Sequence, residues 1–219
     1  MGICYIMGAM EPAFTPQIQP GDLLIAADAG YRQAKTLGMH PDLVVGDFDS
    51  LGFIPEGEQV EVHPVEKDDT DTMLAARIGY KRGMRQFVIL GGMGGRLDHT
   101  IANLHTLAWL SDRGAKACMT DGREHVLLLQ NESVQFSSGG QETISIFAYG
   151  GTARGVTLEG LHYPLQDAAL DTSFPLGVSN RFEQQSALVR VEQGKLLVLW
   201  NGDFSRAQWL SEKTENKDA

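Results

Sequence analysis

Residues 44–51, VVGDFDSL, join an apolar run to two carboxylates and decide how the first half of the chain is interpreted. The run Leu43 to Val45 predicts a short buried strand, and Gly46 lets the backbone turn at its carboxyl end. Asp47 and Asp49 therefore follow a strand at positions i and i+2. In an open parallel sheet, the crevice beyond the carboxyl ends of the strands is the usual ligand site.

The two carboxylates of this stretch predict a cation site. Carboxylates held close together repel each other unless a cation lies between them. Such hard oxygen ligands suit Mg²⁺, which one or two carboxylates hold together with the phosphates of a substrate. The alternative is a solvated turn, because Asp and Ser favour turns through their own hydrogen bonds. The eight residues alone leave both interpretations open.

Outward from this stretch, strands alternate with helices through the first half of the chain. Apolar runs predict strands at residues 2–7, 22–27, 59–65, 86–90 and 115–120, and helical spacing predicts helices at 31–37, at 72–83 and from 97 onward. This alternation predicts an α/β domain over residues 1–123, an open and mainly parallel sheet with flanking helices. In the last helix, the i, i+4, i+7 spacing predicts a buried face of Leu97, Ile101, Leu104 and Ala108.

Two further acidic positions are expected at the edge of the predicted sheet. Asp28 follows the second strand, where a helix N-cap and a ligand role are both reasonable. Thr70 and Asp71 begin the second helix after an acidic stretch that contains Lys67. One interpretation is a second carboxylate cluster that faces the first across a metal-phosphate ligand. The other is a capped, acidic first turn that complements the helix dipole, with Lys67 as a solvated partner.

A glycine-rich segment, GGMGG at residues 91–95, lies between the strand at 86–90 and the third helix. Glycines let backbone amides approach a ligand closely, and a helix N-terminus attracts anions. Arg96 could contact phosphate bidentately, and Asp98 could be a cap or a metal ligand. The segment matches neither a Walker A loop nor a G-x-G-x-x-G fingerprint. His99 and His105 are expected on the polar face, and the spacing of Cys and His predicts no zinc site.

The second half of the chain has a different sequence pattern, in which strands follow one another without helices. Short apolar strands are separated by Gly-Gly, Ser-Ser-Gly-Gly and Gln-Gly turns at regular intervals, which predicts an all-β sandwich over residues 124–219. Within it, FPLGVSNRF at 174–182 is expected to form a loop or bulge that carries Ser179, Asn180 and Arg181. Loops of this kind commonly hold binding groups. The charged tail at 211–219 is expected to fray.

Composition excludes several classes of protein. The formal net charge of −10 lacks the basic footprint of a nucleic-acid-binding protein, so a phosphate ligand would need local cations or a metal. Cys4 and Cys118 lie far apart in apolar stretches, which indicates buried free thiols and a reducing compartment. No secretory signal and no membrane-spanning run is recognisable. We therefore expect a soluble, cytoplasmic protein without nucleic acid or membrane partners.

Five motifs in this order, A-D-A-G, G-D-F-D-S, K-D-D-T-D, G-G-R-L-D-H and a late S-N, resemble the thiamine pyrophosphokinase family over most of the chain. The resemblance implies a catalytic α/β nucleotide-binding domain, a C-terminal β-sandwich for thiamine binding and dimerisation, and a homodimer. It also implies transfer of pyrophosphate from Mg·ATP to the hydroxyl of thiamine, which gives thiamine diphosphate and AMP.

The resemblance also implies roles for single residues. Asp47 and Asp49 match the acidic pair assigned to Mg²⁺ and nucleotide, and we expect Asp71 to complete the metal site. Ser179 and Asn180 match the segment that faces the thiamine site, which implies an active site at the subunit interface. The remaining binding residues are expected to be Asp28, Thr70 and Arg96. Asp71 and Asp98 are the candidates for the base that accepts the thiamine hydroxyl proton, and the sequence does not choose between them.

Two other functions compete with this interpretation. In a Mg²⁺-dependent aspartyl phosphatase, Asp47 of the VVGDFDSL stretch would form a phospho-aspartate. That reading leaves the glycine-rich segment and Arg96 unexplained. A nucleotide- or thiamine-binding module without chemistry could use the same fold.

Overall fold

The computed structural model describes residues 2–57, 59–62, 69–137 and 142–210. The chain divides into two compact units, Met1–Leu127 and Leu128–Ala219. Three sequence predictions lie outside the described residues: the end of the strand at 59–65, the surroundings of Lys67, and the frayed tail at 211–219. Within the described part, every helix is too short or too polar to span a lipid bilayer.

The first unit is built on a mainly parallel sheet with three helices, which confirms the predicted α/β class. Its strands run in the order β6-β5-β1-β2-β3-β4, and β7 joins antiparallel to β6. The chain leaves central strand β1 toward β2 and later returns to its other side with β5, so the topology switches between β1 and β5. The strands are β1 Ile3–Met7, β2 Leu23–Ala27, β3 Leu43–Gly46, β4 Val60–Val62, β5 Gln86–Leu90, β6 Lys116–Thr120 and β7 Glu124–Gln130; the helices are α1 Gly30–Thr36, α2 Asp71–Lys81 and α3 Leu97–Ser111.

The predicted buried face of α3 is wrong. Leu97 and Ile101 are 74% and 47% exposed, and Leu104 and Ala108 are only half-buried. The helix instead buries the face that carries Asn103, Thr106, Leu107 and Leu110. Two of these four residues are polar and satisfy their polar atoms locally, since the Asn103 amide donates to the Gly92 carbonyl and the Thr106 hydroxyl to the Ala102 carbonyl. The spacing of apolar residues alone therefore predicts the wrong buried face for this helix.

The second unit is all-β, as predicted, and its strands pair antiparallel. One group of strands runs in the order β12-β9-β14, and another sheet in the order β11-β10-β13-β8-β15. The rings of Phe136 and Trp200, one from each group, lie 5.3 Å apart. The strands are β8 Ser133–Ser137, β9 Thr143–Ala148, β10 Ala153–Glu159, β11 Leu165–Leu170, β12 Gly177–Arg181, β13 Ser186–Arg190, β14 Lys195–Asn201 and β15 Ala207–Leu210, with a 3₁₀ helix at Phe204–Arg206.

Two details of this unit differ from the sequence-based expectation. The segment around Ser179 is a strand, β12, and its pairing with β9 shifts register between Gly177 and Asn180. The expected bulge is therefore present, but inside a strand rather than in a loop. Strands β11 and β15 were not expected from the sequence. β11, LQDAAL, is mostly exposed or half-buried, so it lacks the apolar alternation that would predict a strand.

The two cysteines give a prediction about the native core. Both thiols are buried and free, and burial raises the pKa of each to about 12. In an unfolded chain a thiol ionises near pH ~8.5. We therefore expect Cys4 and Cys118 to resist a thiol-reactive disulfide reagent in the native protein at pH 8 and to react fully in urea.

The sign of the pH dependence follows from the same shift. Because the folded pKa lies above the unfolded one, the contribution of the neutral thiols to stability is complete below about pH 8.5 and declines as pH rises toward 12. Urea unfolding at several alkaline pH values measures this decline. Rapid labelling of either thiol in the native state would contradict the expected burial.

Candidate active site

Three aspartates from three different elements converge at the carboxyl edge of the parallel sheet. Asp28 follows β2, Asp47 follows β3, and Asp71 is the first residue of α2. One carboxylate oxygen of each lies within 4.8 Å of the corresponding oxygens of the other two. The convergence follows from topology, since β2 and β3 are parallel neighbours and end together, with Ala27 opposite Val45. We call Asp28, Asp47 and Asp71 the aspartate triad.

Asp28 is the buried member of the triad. Its backbone is left-handed, with φ +44°, and its N–H donates to the Val45 carbonyl at 2.8 Å, which ties the end of β2 to β3. The side chain is 7% exposed, and among the described residues its Oδ1 has no hydrogen-bond partner. No side chain caps α1, so the N-cap alternative for Asp28 does not describe this helix.

The electrostatics of Asp28 favour a cation. Burial raises the pKa of its carboxyl above the ordinary value, and the nearby carboxylates of Asp71 and Asp47 raise it further. Hydrogen bonds with the Ser50 side chain and the Ala29 backbone act in the opposite direction without cancelling the rise. A divalent ion between the three carboxylates would offset this repulsion and give the buried Oδ1 a partner. The residues present therefore fit a hard metal ion such as Mg²⁺.

Asp49 lies outside the aspartate triad, although the sequence pairs it with Asp47. Phe48 between them is left-handed, with φ +61°, and its side chain is buried. This breaks the alternation of a regular strand, so Asp47 and Asp49 are not held as successive residues on one face of a strand. Asp49 is exposed, accepts a hydrogen bond from the Ser50 hydroxyl at 3.0 Å, and donates its N–H to Asp47 Oδ1 at 3.2 Å. Its role as a metal ligand stays a prediction.

Thr70 caps the helix that carries Asp71. The Thr70 hydroxyl accepts a hydrogen bond from the Met73 N–H at 3.2 Å, which fixes the first turn of α2. The preceding residue, Asp69, forms an ion pair of 3.2 Å with Arg77, the seventh residue of α2. Thr70, Asp71 and Asp69 all line the same pocket as the other two triad aspartates. Asp71 of the second acidic stretch therefore lies close to Asp47 of the first, and the cap expected in the alternative interpretation is present as well.

Arg96 and Asp98 bind each other at the start of α3. Arg96 Nε and a terminal guanidinium nitrogen donate to the two Asp98 oxygens at 3.1 and 2.6 Å, and both side chains are mostly exposed. The hydrogen bond from Arg96 lowers the pKa of the Asp98 carboxyl below its ordinary value. Asp98 also accepts from the His99 N–H at 2.9 Å, but it is not the cap of α3, whose N-cap residue Arg96 makes no side-chain cap hydrogen bond. Asp98 lies outside the aspartate triad.

The glycine-rich segment borders the pocket and packs directly on the sheet. Gly91 is left-handed, with φ +62°, and a Cβ at this position would lie 2.0 Å from the Met10 carbonyl oxygen. Its N–H donates to Thr120 at 3.3 Å, and its carbonyl accepts from Met10 at 3.1 Å. The pocket has a volume of 460 Å³, within the usual range for small-molecule sites, and His99 also lines it.

Sequence reasoning missed Asn103, which lines this pocket from α3. It is 7% exposed, and its Nδ2 donates to the Gly92 carbonyl at 2.6 Å. Its signal in the sequence was a polar residue on an apolar helix, eleven positions after a glycine. That signal is readable only once the buried face of α3 is known.

Ser179 and Asn180 lie on β12 in the second unit. Ser179 is left-handed, with φ +56°, and its N–H donates to the Ser145 hydroxyl at 3.0 Å. Asn180 is buried, and its side-chain amide binds both the N–H and the carbonyl of Tyr163 at 2.9 and 2.8 Å. Asn180 and Tyr163 border a second pocket of 260 Å³ that apolar residues of the same unit line. A role for Ser179 and Asn180 in thiamine binding stays a prediction.

The first pocket combines chemical groups that suit a metal-bound phosphate ester. Three carboxylates can hold a divalent cation, while glycine amides and an N-terminal helix turn suit anionic oxygens. In a chain with a net charge of −10, an anion needs such local compensation.

Comparisons with known proteins agree with the fold and with both units. Residues 15–119 match the family model described as thiamin pyrophosphokinase, catalytic domain, and residues 128–196 match the model described as thiamin pyrophosphokinase, vitamin B1 binding domain. The chain is 25% identical over 200 residues to the thiamine pyrophosphokinase of Bacillus subtilis, covering 88% of this chain and 93% of that protein.

Solved structures share the fold at low identity. The crystal structure of the Bacillus subtilis thiamine pyrophosphokinase has a TM-score of 0.81 at 22% identity and covers 92% of this chain and all of the other. The thiamin pyrophosphokinase of Candida albicans has a TM-score of 0.75 at 14% identity, covering 92% of this chain and 89% of the other.

Proposed function

The chain belongs to the thiamin pyrophosphokinase family, an enzyme family, and on this basis we propose that it transfers pyrophosphate from Mg·ATP to the hydroxyl of thiamine, releasing AMP. The observation that carries the proposal is the aspartate triad. Its oxygens lie within 4.8 Å of one another, and one of them is buried without a partner among the described residues. The triad lines a pocket that the glycine-rich segment also borders.

The metal site that we propose is made of Asp28, Asp47 and Asp71. Bound there, Mg²⁺ would supply positive charge to the phosphate oxygens of ATP during transfer. The protein contributes position: Asp28 is fixed by its backbone bond to β3, and Asp71 by the Thr70 cap. Asp49, two residues after Asp47, is proposed as a further metal ligand at the edge of the site.

We propose that the glycine-rich segment and Arg96 bind the phosphate oxygens that the metal does not. The amides of Gly92 and Gly95, which line the pocket, offer donors on residues without side chains, and Arg96 offers a bidentate guanidinium. Arg96 is exposed and already holds Asp98, so contact with a phosphate would weaken that ion pair. Release of Arg96 would raise the pKa of Asp98 toward its ordinary value and make it a better proton acceptor. Asp98 and Asp71 are both retained as candidate bases.

Thiamine is cationic, and an acidic pocket attracts it. The vitamin B1 binding domain matched at residues 128–196 carries Ser179 and Asn180, which we propose as thiamine contacts. We also propose a homodimer with the active site at the subunit interface. Its support is the exposed apolar pair Leu97 and Ile101, which brackets Asp98 on α3 and would be covered by a partner.

Product identification tests the proposal. The protein is incubated with ATP, Mg²⁺ and thiamine, and nucleotides and thiamine phosphates are separated by chromatography. We expect AMP and thiamine diphosphate in equal amounts, and a loss of about a hundredfold or more in Asp47→Asn because a metal ligand is removed. Asp112→Asn, an exposed acid at the end of α3, is the matched control for net charge.

Other products would point to other functions. ADP with thiamine monophosphate would keep the site but change the reaction. Inorganic phosphate formed without thiamine, together with a covalent phospho-aspartate at Asp47, would identify an aspartyl phosphatase instead. Binding of nucleotide and thiamine without turnover would identify a non-catalytic module.

A further inference from the structure

Asn103 is a buried polar side chain that the mechanism so far does not use. It sits on the buried face of α3, two turns into the helix, and lines the pocket that holds the aspartate triad. Its Nδ2 donates to the Gly92 carbonyl at 2.6 Å. We infer that Asn103 is a positioning residue: it orients the Gly92 peptide so that the glycine-rich segment can bind the phosphates of ATP. This inference rests on the proposed function.

The segment is held at successive peptides. Gly91 is fixed on both sides, through its N–H to Thr120 and through its carbonyl to the N–H of Met10. The next carbonyl, that of Gly92, is bound by Asn103. The first fixing point is made by backbone atoms, which any sequence would supply. The second depends on one side chain, so it is the point at which a substitution can change the orientation of the segment.

Gly92 lies too close to its neighbours to carry a side chain unless those neighbours shift. A Cβ there would lie 2.7 Å from Met119 Sδ and 2.8 Å from Ile89 Cγ2. Its backbone therefore rests on the core side chains of β5 and β6, and the backbone itself forms pocket surface. What the pocket presents at this point is decided by the direction of a peptide group rather than by a side chain.

The direction of that peptide matters because the pocket is acidic. The Asn103 amide donates to the Gly92 carbonyl, so it offsets the negative end of this peptide dipole at the wall of the pocket. Without that donor, the carbonyl would be an unpaired acceptor that could turn toward a bound anion. In a site that already holds three carboxylates, this change would weaken anion binding.

A residue that only stabilises the fold would also be buried and hydrogen-bonded. The test therefore has to measure nucleotide binding, which a loss of packing alone would not change. Asn103→Leu keeps a similar volume and removes the donor. Thr106→Val is the matched control, because Thr106 lies one turn further on the same buried face and donates within the helix, to Ala102. Both variants lose one buried hydrogen bond of α3, but only the first touches the glycine-rich segment.

The experiment measures binding of Mg²⁺ with α,β-methylene-ATP, an analogue that cannot transfer pyrophosphate, by calorimetry without thiamine. We expect Asn103→Leu to raise the Kd at least about tenfold, as for other residues that orient a binding group, and Thr106→Val to leave it within about twofold. Steady-state kinetics should show a raised KM for ATP, with an unchanged KM for thiamine. The ratio of Asn103→Asp to wild-type activity should rise as pH falls, because a protonated carboxyl donates to Gly92 again.

Each result separates the inference from the proposed function. A wild-type chain that binds the analogue but makes no thiamine diphosphate would overturn only the proposed function. A chain that binds no analogue would overturn both. An Asn103→Leu Kd equal to that of the wild type, or an equal loss in Thr106→Val, would overturn the positioning role of Asn103.

Discussion

Asp28→Asn is expected to abolish Mg²⁺-dependent activity and to stabilise the metal-free protein at the same time. Asn has the same shape as Asp and tolerates the left-handed backbone that this position requires, with φ +44°. The variant removes a metal ligand, which should lower thiamine diphosphate formation by at least about a hundredfold. It also removes a buried charge that faces two other carboxylates, so its effect on stability has the opposite sign.

The pH dependence of the wild type follows from the raised pKa of Asp28. The folded, metal-free protein holds this proton more tightly than the unfolded chain does. The associated stability is therefore present at low pH and is lost as pH rises through the folded pKa. Mg²⁺ competes with the proton, so it should raise the melting temperature most at neutral and alkaline pH, and little where Asp28 is protonated.

Thermal melting with EDTA and with Mg²⁺ measures both effects. In EDTA at about pH 7.5, Asp28→Asn should have a higher melting temperature than the wild type. Of these two proteins, only the wild type should have its melting temperature raised by Mg²⁺. Asp112→Asn carries the same change in charge on the surface and should respond to Mg²⁺ as the wild type does. If Asp28→Asn melts below the wild type and still responds to Mg²⁺, Asp28 is a structural residue rather than a ligand.

The sequence predicted the strands of the first unit well for a physical reason. The interior strands β1, β2, β3, β5 and β6 are short apolar runs with Gly or Asp at one end or both, and they are buried on both faces, so composition alone marks them. QFVIL, for example, is predicted and observed at 86–90. Weakly apolar strands at exposed edges carry no such mark, which is why β11 was not expected.

The group of aspartates that could hold a metal lies at the edge of the sheet where the sequence predicts a cation site, and it contains Asp28 together with Asp47 and Asp71. The sequence places Asp47 and Asp49 close together because they are two residues apart. Asp28 comes close to Asp47 because β2 and β3 are neighbours and the Asp28 N–H binds the Val45 carbonyl. Contacts between strands depend on sheet order, and spacing within one motif does not contain that order.

The glycine of the A-D-A-G motif is expected to be indispensable for a reason that is steric rather than conformational. Gly30 is the first residue of α1 and is buried, and a Cβ there would lie 1.9 Å from the Met7 carbonyl oxygen at the end of β1. That oxygen belongs to the central strand and cannot move as the end of a flexible side chain could. Helix α1 would have to shift away from β1.

Gly30→Ala should therefore lower the free energy of unfolding by about 3 kcal/mol or more, as overpacking against backbone does. Urea denaturation measures the change. Gly38→Ala is the matched control, because Gly38 has φ +69° and nothing within 4 Å of an added Cβ. That variant incurs only left-handed backbone strain, which costs about 1 to 2 kcal/mol.

Activity provides the second half of the test, since Gly30 lies two residues after Asp28. A shift of α1 would displace Asp28 from the aspartate triad, so any folded Gly30→Ala protein should also lose its thermal stabilisation by Mg²⁺. Gly38→Ala lies beyond the far end of the same helix and should keep it. A Gly30→Ala protein that matches the stability of Gly38→Ala and responds normally to Mg²⁺ would show that α1 can yield without moving the metal site.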